Sequence, residues 1–168
     1  MHSINKLLCG FIFLSLALVL VLLPQLAASR SPESLEGAGL PQFSSSEAVP
    51  AFHSQAPQGA LPPTMAPSLF TDPVIQNAYA LAGRIKKILY QQPCYCHCDQ
   101  SQGHGSLLDC FVSQHGSGCG TCMREAFYSY EQFRKGKTAA QIRAGIEHGD
   151  WQAVDTTKYE KPLPASAH

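Results

Sequence analysis

The chain is poor in charge and shows no bias in its sign. Of 168 residues only 14% are charged, and 12 basic side chains balance 12 acidic ones. No basic stripe or long charge run occurs, so there is no electrostatic footprint for nucleic acid or for an anionic membrane surface. Alternating strand patterns are nearly missing. That removes the βαβ frame in which thioredoxin-like catalysis is expected. No Ser–His–Asp set or pair of catalytic carboxylates can be recognised, so nothing supports a hydrolase. Met123, not His, follows Cys122, which removes the C-x-x-C-H attachment of a covalent haem.

What is present begins with an apolar run, "LLCGFIFLSLALVLVLL", from Leu7 to Leu23. Lys6 precedes it, Pro24 ends it and "QLAAS" follows. A basic start, an apolar centre and a small-residue exit make residues 1–29 a secretory signal, cleaved after Ala28 or Ser29. The alternative is an uncleaved N-terminal membrane anchor, since 17 apolar residues stand at the lower limit for spanning a bilayer. On either reading the remainder lies outside the cytoplasm, in the periplasm or at the cell surface, where disulfides are permitted. Cys9 precedes most of the run and is misplaced for lipidation.

Residues 30–70 are rich in Ser, Pro, Ala and Gly and carry only Arg30, Glu33, Glu36 and Glu47 as charges. They have no helical or strand period and read as a disordered linker. From Asp72 the pattern changes. Asp72 is a good N-cap, Pro73 suits the first helical position, and Val74, Ala78, Leu81, Ile85 and Ile88 recur at helical spacing up to Pro93. A second short helix is expected in "SLLDCFV", with Ser106 and Asp109 as a capping box. A third runs through "CMREAFYSYEQFR" and stops at Gly136. Thr138 and Gln141 cap a fourth, closed by Gly149, after which Trp151 folds back on the core. The expected unit is an all-α, cysteine-rich domain of about four helices over residues 71–152, with a flexible tail over 153–168. So small a domain often needs staples or a metal.

Six cysteines remain after the leader, Cys94, Cys96, Cys98, Cys110, Cys119 and Cys122, with His97, His104 and His115 in the same window. An even count in an exported domain supports three disulfides, with 15 possible pairings. Spacing argues against disulfides as the whole account. In an extended strand alternate Cα atoms stand about 6.5–7 Å apart, at the limit for a disulfide. Three thiols on one face, or in a curled loop, could instead meet one soft ion such as Cu(I) or Zn(II). Cys119 and Cys122 form C-x-x-C at a helix start, where free N–H groups favour a thiolate. That spacing serves zinc knuckles and dithiol redox sites alike. His115 and His104 are candidate ligands as much as loop-packing or capping groups. His97 is expected to point away from its neighbours, into solvent. Tyr95 and Met123 read as packing residues.

The set "PCYCHCD…GHGSLLDCF…HGSGCGTCMREA…KGKTAAQIR" resembles the family of bacterial exported proteins and lipoproteins that bear a PCYCGC, or CYCXC, motif. The resemblance spans Asp72 to Ile146 and covers Pro93, Cys94, Tyr95, Cys96, Cys98, Gly103, His104, Cys110, Phe111, His115, Gly116, Cys119 and Cys122. The family has no established function. Some members place selenocysteine in the motif, which implies redox or soft-metal chemistry. This chain departs from the pattern at His97, where the motif has Gly, and in lacking a lipobox cysteine.

The leading expectation is an extracytoplasmic protein that sequesters or hands over a soft or borderline metal, Zn or Cu. Its candidate ligands are Cys94, Cys96, Cys98, Cys110, Cys119, Cys122, His104 and His115. A thiol–disulfide redox protein with Cys119 as attacking thiolate is the second reading. A disulfide-stapled interaction module is the third. The expected partners are the metal ion and an exported redox or metal-handling protein. Contact with the membrane is expected only through the N-terminal segment.

Overall fold

The computed structural model describes residues 48–161 and Leu163. The signal or anchor expected over residues 1–29 and the first part of the expected linker lie outside the described residues. Among the described residues there are six α-helices and no strand. They are α1 (Pro73–Arg84), α2 (Lys86–Leu89), α3 (Cys98–Gln102), α4 (Asp109–Val112), α5 (Gly120–Arg134) and α6 (Ala139–His148). Short 3-10 turns stand at Pro67–Leu69, Gln114–Gly118, Asp150–Ala153 and Thr156–Tyr159. No described helix is long and apolar enough to cross a membrane.

Helix α1 starts where its chemistry dictates. The Asp72 carboxylate accepts from the backbone N–H groups of Val74 and Ile75, and Pro73 occupies the first turn. The single helix expected up to Pro93 is broken at Ile85 (φ −117°, ψ 30°), and α2 adds one further turn. Helix α5 packs across α1. Ala78, Tyr79, Leu81 and Ala82 of α1 meet Cys122, Ala126 and Phe127 of α5, with Leu107, Leu108 and Phe111 closing the core. Helix α6 has the expected capping box between Thr138 and Gln141 and ends on Gly149 at φ 87°. It packs as a second small cluster of Tyr128, Ile142 and Ile146, with Trp151 laid against it.

The capping box expected in "SLLDCFV" is only half made. Asp109 Oδ2 accepts from the N–H groups of Gly105 and Ser106, but Ser106 Oγ has no partner among the described residues, and α4 begins later, at Asp109. The missing half is that of Ser106, because the Asp109 N–H donates to the Ser106 carbonyl in place of its hydroxyl.

Two segments expected to be loose are docked. From residue 48 the chain forms an arm on the helical unit, not a free linker. The Met65 N–H donates to the Phe111 carbonyl at 2.9 Å, His53 stacks on Tyr90 at 3.8 Å, and Arg143 lies over the Phe52 ring at 4.5 Å. Leu61, Met65 and Phe70 pack against the core. The described part of the expected tail, residues 153–161 and Leu163, is also tied down, and the rest of it lies outside the described residues. Tyr159 stacks on Phe127 at 3.7 Å, its hydroxyl donates to Glu131, and the Asn77 amide donates to the carbonyls of Tyr159 and Lys161. Isolated aromatic and aliphatic anchors, not a periodic face, hold both segments, so no helical or strand period announces them.

Candidate metal centre

The "PCYCHC" stretch is neither extended nor strained into a rung of disulfides. The Cys94 carbonyl accepts the His97 N–H at 3.1 Å, which curls residues 94–97 into a turn. His97 then adopts φ 56°, ψ 35°, and is the one non-glycine residue at positive φ among those described. The next residue, Cys98, opens α3. The left-handed step at His97 thus turns a row of alternating thiols into a helix start. It is the place where the motif has glycine, the residue that adopts this conformation without strain. His97 is half-buried, not turned out into solvent as an extended strand would have it.

The other half of the site comes from three elements. Cys110 sits in α4 and is fully buried. His104 follows Gly103, which ends α3 at φ 69°, and its N–H donates to the Cys98 carbonyl. His115 lies in the Gln114–Gly118 turn. That turn is tethered by the Tyr79 hydroxyl, which donates to the Ser113 carbonyl and accepts from the Ser117 N–H. The turn approaches so closely that a Cβ on Gly116 would stand 2.9 Å from the Cys110 carbonyl oxygen. Cys119 is the N-cap residue of α5, and Cys122 lies in its first turn.

The six cysteines among the described residues are all free thiols. The Sγ atoms of Cys94 and Cys96 are 3.3 Å apart, Cys94 and Cys122 3.4 Å, Cys96 and Cys122 3.5 Å, and Cys98 and Cys110 3.4 Å. His115 Nε2 is 3.5 Å from Cys96 Sγ, and His104 Nδ1 is 3.4 Å from Cys110 Sγ. A disulfide requires about 2.05 Å, so these sulfurs touch without bonding. Ligand atoms that share one tetrahedral ion at about 2.0–2.3 Å stand about 3.3–3.8 Å apart, which is the spacing found here. Cys96, His115, Cys119 and Cys122 form a four-member group whose ligand atoms all lie within 4.8 Å of one another. Cys94, Cys96 and Cys98 form another such group, as do Cys94, Cys110 and Cys122, and Cys98, Cys110 and His115. Every candidate ligand read from the sequence is therefore drawn into one continuous cluster.

The crowding sets the protonation pattern. The Cys96 thiol is held far below its ordinary range, chiefly by hydrogen bonds from Cys110, Cys122 and Cys94, with His115 adding to them. Cys98 is also lowered, first of all by Cys94. Cys122 is pushed up, since its proton is given to Cys110 and burial disfavours its charge. Burial, followed by the nearby His115, lowers His104, which keeps its imidazole neutral and able to ligate.

One residue of the site escaped sequence reasoning. Glu125 is completely buried beside Cys94; Oε1 accepts the Tyr95 N–H at 2.9 Å, while Oε2 has no hydrogen-bond partner among the described residues. Burial raises its carboxyl to about 8. An acidic residue on the apolar face of "CMREAFYSYEQFR", two positions past Met123, was the available signal.

No curated protein and no solved structure matches the chain. The model of one family does, across residues 55–164: proteins of unknown function with a PCYCGC motif. The match extends beyond the cysteines at both ends and takes in most of the docked arm and tail, and the chain belongs to that family.

Proposed function

We propose that this protein is an extracytoplasmic holder of a soft or borderline transition metal ion, Zn(II) or Cu(I), which it sequesters or passes on. The observation that carries this reading is the four-member group of Cys96, His115, Cys119 and Cys122, three sulfurs and an imidazole within 4.8 Å. Thiolate and imidazole donors suit these ions. Metal would take up the charge that crowded thiolates cannot bear alone, with release of protons. The apolar run Leu7–Leu23 supports export. Outside the cytoplasm unprotected thiols oxidise, and ligation keeps them reduced. The handing over of metal would involve an exported metal-handling or redox protein.

The test is elemental analysis of protein purified anaerobically from metal-replete cells. At least one equivalent of Zn or Cu per chain is expected, and a clearly sub-stoichiometric content would overturn the reading. Fractionation of the same cells should find the protein outside the cytoplasm.

A second reading, thiol–disulfide exchange, is favoured by one observation. Cys96 is half-exposed and its thiolate is the favoured form. On that reading Cys96, in place of Cys119, is the attacking thiol. Alkylation that slows only well below pH 7 would support it, and an ordinary titration near pH 8.5 would sink it.

A further inference from the structure

We infer that the cluster is a two-ion centre, with an outer ion that exchanges and an inner ion that stays. This rests on the metal-holding reading and goes beyond it in the number and division of the ligands. One tetrahedral ion takes four ligands. The outer set, Cys96, His115, Cys119 and Cys122, is complete by itself. It leaves a second set of the same size and chemistry: Cys94, Cys98, Cys110 and His104.

The three sulfurs of that remainder are close together, and His104 joins them at Cys110. Cys94 lies within 4.8 Å of both Cys98 and Cys110, the latter two are 3.4 Å apart, and His104 Nδ1 is 3.4 Å from Cys110. Each set thus offers three sulfurs and one imidazole, with His115 also within 4.8 Å of Cys98 and Cys110. The two imidazoles face each other edge to face at 5.2 Å. The sets meet along a seam where Cys94 of one touches Cys96 and Cys122 of the other, at 3.3 and 3.4 Å. Two ions so placed are neighbours across shared sulfur walls.

Burial divides them. The sulfur-bearing residues of the inner set are 2%, 1% and 0% exposed for Cys94, Cys98 and Cys110. In the outer set Cys96, His115 and Cys119 are all half-exposed, and only Cys122 is buried. An incoming ligand or chelator reaches the outer ion without disturbing the core. In the inner set only the half-buried His104 is open to it, and all three sulfurs are buried.

The experiment uses the full chain, reduced and metal-free, supplied anaerobically with Zn(II) alone or Cu(I) alone. Bound ions are counted by native mass spectrometry. Two ions of either metal per chain are expected. One ion, or more than two, overturns the two-ion division while leaving the metal-holding reading intact; none of either metal overturns both. Cys119→Ser changes a half-exposed residue whose side chain caps nothing. It is expected to keep the helical circular dichroism and hold one ion. Loss of both ions with the helices intact would show that the sets are not separable. Should Cys119→Ser unfold, release from the wild type decides. A chelator should remove one ion at least tenfold faster than the other, and a single phase for both would refute the outer and inner roles.

Discussion

The two ends of the helical unit are built on different principles. At one end Tyr128, Ile142 and Ile146 make a small apolar cluster between α5 and α6, with Trp151 against it. Its helices are regular, and its junction carries a full capping box. At the other end helix α3 has five residues and α4 has four, joined by turns, with cysteine sulfurs packed beside Leu107, Leu108 and Phe111. There the backbone accepts a left-handed His97 and the close approach of Gly116 to Cys110. Hydrocarbon burial is sufficient to hold the first end. The second end is assembled from short pieces that propensity alone does not hold, and on the proposed reading a bound metal would hold them in order.

Metal removal is expected to separate the two ends most strongly. Each ion present at a hundredfold excess over its Kd adds about 2.7 kcal/mol, so stripping two ions should destabilise the protein by about 5 kcal/mol. Hydrogen exchange should show the loss concentrated in α3, α4 and the Gln114–Gly118 turn, with α6 retained longest. Equal loss everywhere would break the contrast.

The pH dependence of the reduced, metal-free protein comes next. The Glu125 carboxyl is raised in the folded state to about 8. The fold therefore favours its protonated form. This contribution is fully present below the unfolded value near 4.5 and is lost as pH rises through about 8. Denaturant titrations should find wild type losing about 4 kcal/mol relative to Glu125→Gln between pH 5 and pH 9. Parallel curves for the two proteins would show that Glu125 is not held neutral.

At the apolar end Ile146→Ala should cost about 3 kcal/mol, because Ile146 is fully buried. The loss should be the same with and without metal, and the number of bound ions should not change. A smaller effect is expected at the turn. His97→Val should cost about 2 kcal/mol, since a β-branched side chain resists positive φ. His97→Gly should stay within about 1 kcal/mol of wild type and retain the ions. An equal penalty for both variants would move the importance of His97 from its backbone to its imidazole.

Much of this arrangement is legible along the chain. Asp72–Pro73, Thr138 with Gln141, and Gly149 mark helix ends by local chemistry, and local chemistry survives in the fold. The eight candidate ligands are legible as residue types, since Cys and His at such density within 29 residues from Cys94 to Cys122 seldom serve packing alone. The turn at His97, by contrast, was not legible. Alternating cysteines suggest an extended segment, and a positive φ outside glycine depends on the surroundings that enforce it.

By itself the sequence determined the helical class, the principal helix boundaries, the sulfur and imidazole chemistry, and family membership through its motif. Each of these is written in neighbouring residues. Only the tertiary structure decided that Pro-rich residues 48–70 and the segment around Tyr159 belong to the folded unit, and that Glu125 is buried against Cys94. It alone also buried Cys94, Cys98, Cys110 and Cys122 and left Cys96, Cys119, His104 and His115 partly open. Those are outcomes of contacts between residues tens of positions apart, such as Met65 with Phe111, Asn77 with Tyr159, and Cys94 with Cys122. Local pattern carries no record of them.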